Sequence, residues 1–137
     1  MFELDARLAA DTLPVVDLPL CRVLLMNDCR YPWLVLVPRV AGACEVFDLG
    51  EPDRDRLWRE IQLAGEALRT HFPGDKLNLG ALGNLVPQLH VHVLMRRRAD
   101  PAWPGPVWGH SAAQPYADAQ ANRTTDTLRT ELLSGTR

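Results

Sequence analysis

The side chains best able to do chemistry lie in one short run, Gln88-Leu89-His90-Val91-His92-Val93-Leu94-Met95. On an extended backbone successive side chains alternate faces, so Gln88, His90 and His92 line up on one face at about 6.6 Å per step. Leu89, Val91, Val93 and Met95 form an apolar opposite face that must pack on a core. A half-buried strand ordinarily carries Thr, Ser or Lys on its wet face, so two imidazoles and a carboxamide in a row call for a different explanation. A neutral imidazole, with an unperturbed pKa of about 6.5, offers a free lone pair near neutral pH and is a competent nucleophile. A second imidazole two residues on can deliver or remove a proton at a leaving group. By itself the row leaves three readings open: covalent catalysis, a pair of surface histidines on an exposed strand, and a His-x-His metal site. For the metal site the sequence supplies no third cluster of Asp, Glu or Cys at a suitable spacing, so no metal or cofactor is expected.

The approach to this row adds groups suited to phosphate. Leu77-Asn78-Leu79-Gly80 puts Asn78 on a strand expected beside the histidine strand, and Gly83-Asn84-Leu85-Val86 leads directly into it. A carboxamide can donate to a phosphoryl oxygen, and glycines let backbone N–H groups approach an anion closely. Asn-Leu-Gly is common in turns; it is the joint placement of these residues ahead of the histidines that points to phosphorus chemistry.

Several elements must position the row. Leu4, Leu8 and the alanines between them predict a short amphipathic helix ending before Pro14. An apolar run from Leu18 to Met26 and the shorter Trp33-Leu34-Val35-Leu36-Val37 predict two strands, joined by the turn formers of Asn27 to Pro32 and most simply antiparallel. Pro52 to Phe72 predicts the main helix: Pro52, Asp53 and Asp55 suit its start, Pro73-Gly74 stops it, and Leu57, Ile61, Ala64 and Leu68 share one face flanked by Trp58 and Phe72. His71 reads as a helix-end cation. Two further strands are expected, Lys76 to Leu82 and Val86 to Arg96. The order is helix, strand pair, helix, strand pair, tail, which is α+β: an antiparallel sheet with one main helix packed on it and a C-terminal helical tail. A single domain 1–137 is expected, with a core at about 20–98, a Pro/Gly/Trp arm at 99–113 and the tail at 114–137. Trp103, Trp108 and His110 in the arm would cover a nucleotide base, pack across a dimer, or simply pack on their own domain.

Bulk properties exclude several classes. The 137 residues carry 15 basic and 17 acidic side chains, a net charge of −2, so no polyanion-binding surface and no nucleic-acid partner are expected. Arg96, Arg97 and Arg98, the one tight basic run, read as a solvated strand end. Cys21, Cys29 and Cys44 have no CxxC spacing and read as small buried hydrophobes, not as a disulfide framework. No apolar run approaches the roughly 20 residues of a membrane span, and the first ten residues lack a signal-peptide core, so the expected compartment is the cytoplasm.

Residues 88 to 94 resemble the signature of the histidine triad (HIT) family of nucleotide hydrolases and transferases, His-φ-His-φ-His-φ-φ with φ apolar, with Gln88 in place of the first histidine. The Asn78 … Gly83-Asn84-Leu85-Val86-Pro87 approach is similar to the family's Asn-rich, Gly-Gln-x-Val lead-in, and Trp33 to Arg39 is similar to its strand ending in Pro and a base. The resemblance covers about residues 20 to 98. It implies a HIT-like fold, a homodimer, a nucleotide substrate and a covalent nucleotidyl-histidine intermediate. His90 would be the nucleophile and His92 the group that assists the leaving group. Asn78 would contact phosphate with help from Asn84, and Asp28 would hold a ribose hydroxyl. Gln88 could orient but could not shuttle a proton. Trp33 stands where many members carry a fourth histidine, so a four-histidine relay is not available. A bacterial branch with Gln-φ-His-φ-His and a Tyr-Pro-Trp lead-in, described as diadenosine polyphosphate hydrolases, is similar in both departures. The departures also keep open a nucleotide-binding module that has lost catalysis.

Overall fold

The computed structural model describes residues 1–136. A short helix α1 (Ala6–Asp11) leads into strands β1 (Thr12–Asp17), β2 (Cys21–Met26) and β3 (Trp33–Pro38). After a 3-10 turn at Val46–Asp48 come the long helix α2 (Glu51–His71), strands β4 (Lys76–Gly80) and β5 (Val91–Arg96), and a closing helix α3 (Asp118–Gly135). The five strands form one sheet in the order β1-β2-β3-β5-β4, and every neighbouring pair is antiparallel. The α+β architecture expected from the patterning is present. Among the described residues no helix is long and apolar enough to cross a membrane.

One face of the sheet carries the main core. Val23, Leu25, Leu34, Leu36, Val91 and Val93 meet Leu57, Ile61, Ala64 and Leu68 of α2, and Leu128 and Leu132 of α3. The helix buries the residues that its periodicity singles out, because spacings of three and four return to the same side of a 3.6-residue turn. Glu60, on that buried side, is only 2 % exposed. Its carboxylate accepts from the backbone N–H groups of Leu20 (3.0 Å) and Cys21 (2.7 Å), so the charge is satisfied at the start of β2.

The other face is where the sequence reading needs correction. It is not wet: α1, the N-terminal residues and the arm after β5 cover it, and Leu8, Leu24, Trp33, Val35, Leu94, Ala102 and Val107 make a second core there. All six residues of β5 are buried. Arg96 is not a solvated strand end either. It is 2 % exposed, makes a two-pronged ion pair with Asp100 (2.8 and 3.0 Å), and pins the start of the arm. The guanidinium holds the Asp100 carboxyl at about 2.

Several boundaries also differ, β2 among them, which begins at Cys21 and not at Leu18. β5 begins at Val91, not at Val86, so Gln88 and His90 precede the strand. β4 ends at Gly80, two residues short of the expected Leu82. Thr12–Asp17, around the proline that was expected only to stop α1, pairs with β2 as an edge strand. Its register shifts between Pro14 and Val16, the kind of irregular edge that tolerates a residue without an N–H. Of the cysteines, Cys21 is buried as expected, whereas Cys29 and Cys44 are exposed.

Candidate active site

His92 is set by the strand ladder. It pairs with Val35 of β3 on one side and with Gly80 of β4 on the other, and its side chain stands on the face opposite α2. His90 stands just ahead of the strand, held by the loop 81–90, which is tied down where the Leu89 N–H donates to the Ala43 carbonyl (2.9 Å). The two imidazoles meet nearly edge-on, with centroids 5.0 Å apart, and are 7 % and 5 % exposed.

Each ring has a partner that fixes its tautomer. His90 Nδ1 lies 2.7 Å from the backbone carbonyl of Gln88. A carbonyl only accepts, so Nδ1 carries the proton and Nε2 keeps its lone pair. His92 Nδ1 lies 3.0 Å from Trp33 Nε1. An indole N–H only donates, so here Nδ1 is the acceptor and the proton is on Nε2. The two neighbouring histidines therefore hold opposite tautomers. Burial, with a smaller contribution from His90, lowers the His92 pKa to about 4, so this ring is neutral at physiological pH. Trp108 from the arm closes over it at 5.4 Å between centroids and lies against Gly80. A Cβ on Gly80 would come within 2.9 Å of the indole, so the close approach requires glycine.

The other expected site residues are distributed less tightly. The Gln88 side chain turns away from the histidines: its Nε2 donates to the Glu3 carbonyl (2.8 Å) and its Oε1 accepts from the Asp5 N–H (2.9 Å). What Gln88 offers His90 is its main-chain carbonyl, so the expected side-chain orienting contact is replaced by a backbone one. Asn78 pairs with Leu94, one two-residue step beyond His92 and away from His90, and its Oδ1 accepts from Arg96 Nη1 (3.0 Å). Asn84 is exposed in the loop before β5. Asp28 is buried in the β2–β3 turn, where both carboxylate oxygens accept from the Arg30 guanidinium (2.9 and 2.8 Å). Burial pushes its carboxyl up, but the Arg30 contacts outweigh this and hold it below the usual value. Arg30 in turn reaches Ser111 and the Ala112 carbonyl, so this pair anchors the far end of the arm. The sequence reading missed the backbone role of Gln88 and the donor role of Trp33; a lone indole in a strand gives no signal of what it will face.

A cleft of about 40 Å³ opens beside His90, lined also by Cys44, Glu45, Ala81, Leu82 and Gly83. Larger grooves of about 490 and 550 Å³ run between α2 and β4, the first of them sharing Val46 and Ala81 with this cleft. Among the described residues no group of three or more His, Cys, Asp or Glu side chains is gathered as a metal site would require.

Comparison with known proteins bears on this arrangement. No curated protein matches the chain. Three solved histidine triad proteins are similar over nearly the whole of both chains. The one from Marinobacter aquaeolei is 46 % identical, covering 98 % of each chain, with a TM-score of 0.95. The one from Sinorhizobium meliloti is 45 % identical, covering 95 % of this chain and 96 % of its own, with a TM-score of 0.92. The one from Bradyrhizobium japonicum is 44 % identical, covering 96 % and 98 %, with a TM-score of 0.93. The family model described as HIT domain matches residues 7–99, from α1 through the end of the histidine strand. The chain belongs to the histidine triad family.

Proposed function

We propose that this chain is a nucleotide hydrolase or nucleotidyl transferase that cleaves a nucleoside phosphoanhydride or phosphoramidate through a nucleotide covalently held on His90. The observation that carries this reading is the 2.7 Å contact between His90 Nδ1 and the Gln88 carbonyl. It fixes the ring and leaves Nε2 as a free nucleophile, in the cleft lined by loop 81–90. Attack by Nε2 on the α-phosphorus expels the leaving group, and water or another acceptor then takes the nucleotide. His92 supplies a neighbouring Nε2–H that can donate to an oxygen on phosphorus, and Asn78, whose Oδ1 is taken by Arg96, and the exposed Asn84 are the side-chain amides proposed to meet phosphate. Diadenosine polyphosphates are the first substrates to try. A homodimer belongs to the same reading: β4 is an edge strand, and the apolar groove beside it, with Trp58 62 % and Leu79 49 % exposed, suits a second copy.

The test is a rapid quench without acid, using a labelled nucleotide substrate, followed by peptide mapping. Label is expected on the imidazole of His90 and is expected to vanish in His90→Ala. Label on His92, or a burst that survives His90→Ala, would overturn the assignment. One observation favours a second reading, a nucleotide-binding module without turnover: the Gln88 carboxamide is spent on the N-terminal segment. If wild type and His90→Ala bind AMP equally and neither turns over any nucleotide, that second reading holds.

A further inference from the structure

We infer that Cys44 is a covalent modification site, at which a small disulfide, and a cationic one best, closes the cleft over His90. That closure stands on geometry alone; the loss of turnover that would follow rests on the reading that His90 attacks phosphorus. The fold sets the thiol beside the ring. The Leu89 N–H donates to the Ala43 carbonyl at 2.9 Å, so Cys44 and His90 each follow directly on one end of the same backbone bond. Both residues line the cleft of about 40 Å³. The turn that carries Cys44 is fixed: the backbone N–H groups of Cys44 and Glu45 donate to one oxygen of Asp48 at 3.0 and 2.9 Å, and the Glu45 carboxylate caps the turn in return.

Independently of the cysteine, His90 marks this cleft as a place that receives a ligand. Its ring is more than nine-tenths buried, Nδ1 is spent on the Gln88 carbonyl, and Nε2 has no hydrogen-bond partner among the described residues. A buried polar atom left open at a cleft is one that an incoming group can satisfy. The thiol beside it is uncommitted. Cys44 is exposed, and its Sγ makes one weak contact, 3.7 Å from the Gly42 carbonyl. The other cysteines differ: Cys21 is buried, and Cys29 is exposed but does not line the cleft. Cys44 lines neither groove between α2 and β4, the surface assigned to a second copy. The cleft has room for only a few waters, so even a two-carbon adduct on its wall fills it.

The step is thiol–disulfide exchange. Cys44 gives its proton to solvent, and the thiolate attacks one sulfur of the reagent. The new S–S bond forms as the old one breaks, and the other half of the reagent leaves and takes up a proton. The disulfide is the oxidant, and an added thiol reverses the reaction. Charge selects among disulfides. The backbone N–H groups of Glu45 and Cys44 hold the Asp48 carboxyl below its usual value, so it is an anion at neutral pH, and Glu45 adds a second carboxylate. That flank attracts a cationic reagent such as cystamine and repels anionic glutathione disulfide.

The test treats the whole reduced protein with cystamine or glutathione disulfide. Diethyl pyrocarbonate, which acylates accessible neutral imidazole nitrogens, then reports on His90 without any need for turnover. Peptide mapping is expected to find the mixed disulfide on Cys44 and Cys29 and not on Cys21. In Cys29→Ser, cystamine is expected to slow carbethoxylation of His90 about tenfold or more, while the exposed His110 reacts as before and dithiothreitol restores the rate. In Cys44→Ser, cystamine is expected to leave the His90 rate where it was. Cystamine should modify Cys44 several-fold faster than glutathione disulfide at low salt, with the gap narrowing as salt screens the carboxylates. An undiminished His90 rate with the adduct on Cys44, equal protection in Cys44→Ser, or an unreactive His90 in the reduced protein overturns the inference. So does faster modification by glutathione disulfide. Failure of any nucleotide to turn over removes the reaction assigned to His90, and the carbethoxylation rates then judge Cys44 by themselves.

Discussion

At the residue scale, neighbouring histidines of the same type are made different by what touches their Nδ1 atoms. His90 meets a carbonyl and becomes a ring with its far lone pair free; His92 meets an indole N–H and becomes a neutral donor. This has a thermodynamic consequence that can be read without any substrate. His92 has a folded pKa of about 4, against about 6.5 in an unfolded chain. Between those values the unfolded state binds the proton and the folded state does not, so stability falls as pH falls through that window. The expected loss from this one ring is about 2 kcal/mol between pH 7 and pH 5. Urea denaturation at the two pH values checks it, and His92→Gln should remove that part of the pH dependence.

At the scale of elements, the histidine loop and the arm are each held by polar clamps. The Gln88 carboxamide bridges the Glu3 carbonyl and the Asp5 N–H, so it fastens the N-terminal segment to the loop that carries His90. Gln88→Ala leaves the backbone carbonyl on His90 intact. We expect a loss of about 1–2 kcal/mol in stability, faster hydrogen exchange at the Asp5 amide, and only a several-fold change in single-turnover rate. A loss of activity as severe as that of His90→Ala would show the side chain taking part in chemistry. The arm is anchored differently, through Arg96–Asp100 at one end and Asp28–Arg30 at the other. Asp100→Ala strands a guanidinium that is 2 % exposed, at an expected cost of about 3 kcal/mol or more. The accompanying signature is protease cleavage within residues 99–113 under conditions where wild type resists. The Trp108 indole N–H is buried with no partner among the described residues.

Across the whole molecule, the sheet has one edge closed by a short irregular strand and another, β4, left beside an apolar groove. Trp58, Ile61, Leu77 and Leu79 line that groove, and Gly65 keeps its floor low. An unpaired strand edge next to exposed apolar side chains is a surface that soluble proteins usually cover. If a second copy covers it, Trp58→Glu combined with Leu79→Lys should convert the dimer to a monomer in sedimentation equilibrium, with the far-UV spectrum unchanged. A wild type that is monomeric at micromolar concentration would dispose of the homodimer. Trp58 and Leu79 are not among the residues that line the cleft beside His90, so dissociation by these variants tests assembly separately from the tautomers of His90 and His92.

What the sequence determined by itself was the set of residues that must face a core. The spacing of Leu57, Ile61, Ala64 and Leu68 marked the buried side of α2, and the apolar runs marked β2 and β3, because burial leaves a period in the side chains. The Gln88-Leu89-His90-Val91-His92 alternation marked the candidate row for the same reason. Alternation records which way side chains point, however, and not whether the backbone is paired, so Gln88 and His90 read as strand although β5 starts at Val91. Nor does it record what covers the polar face. That face is closed by Ala102, Val107 and Trp108, which come from the arm after the strand, and by the first residues of the chain. The donor that fixes His92 comes from Trp33, 59 residues away in sequence. Hydrogen-bond partners at such separations are chosen by strand order and register, and only the tertiary structure decides those.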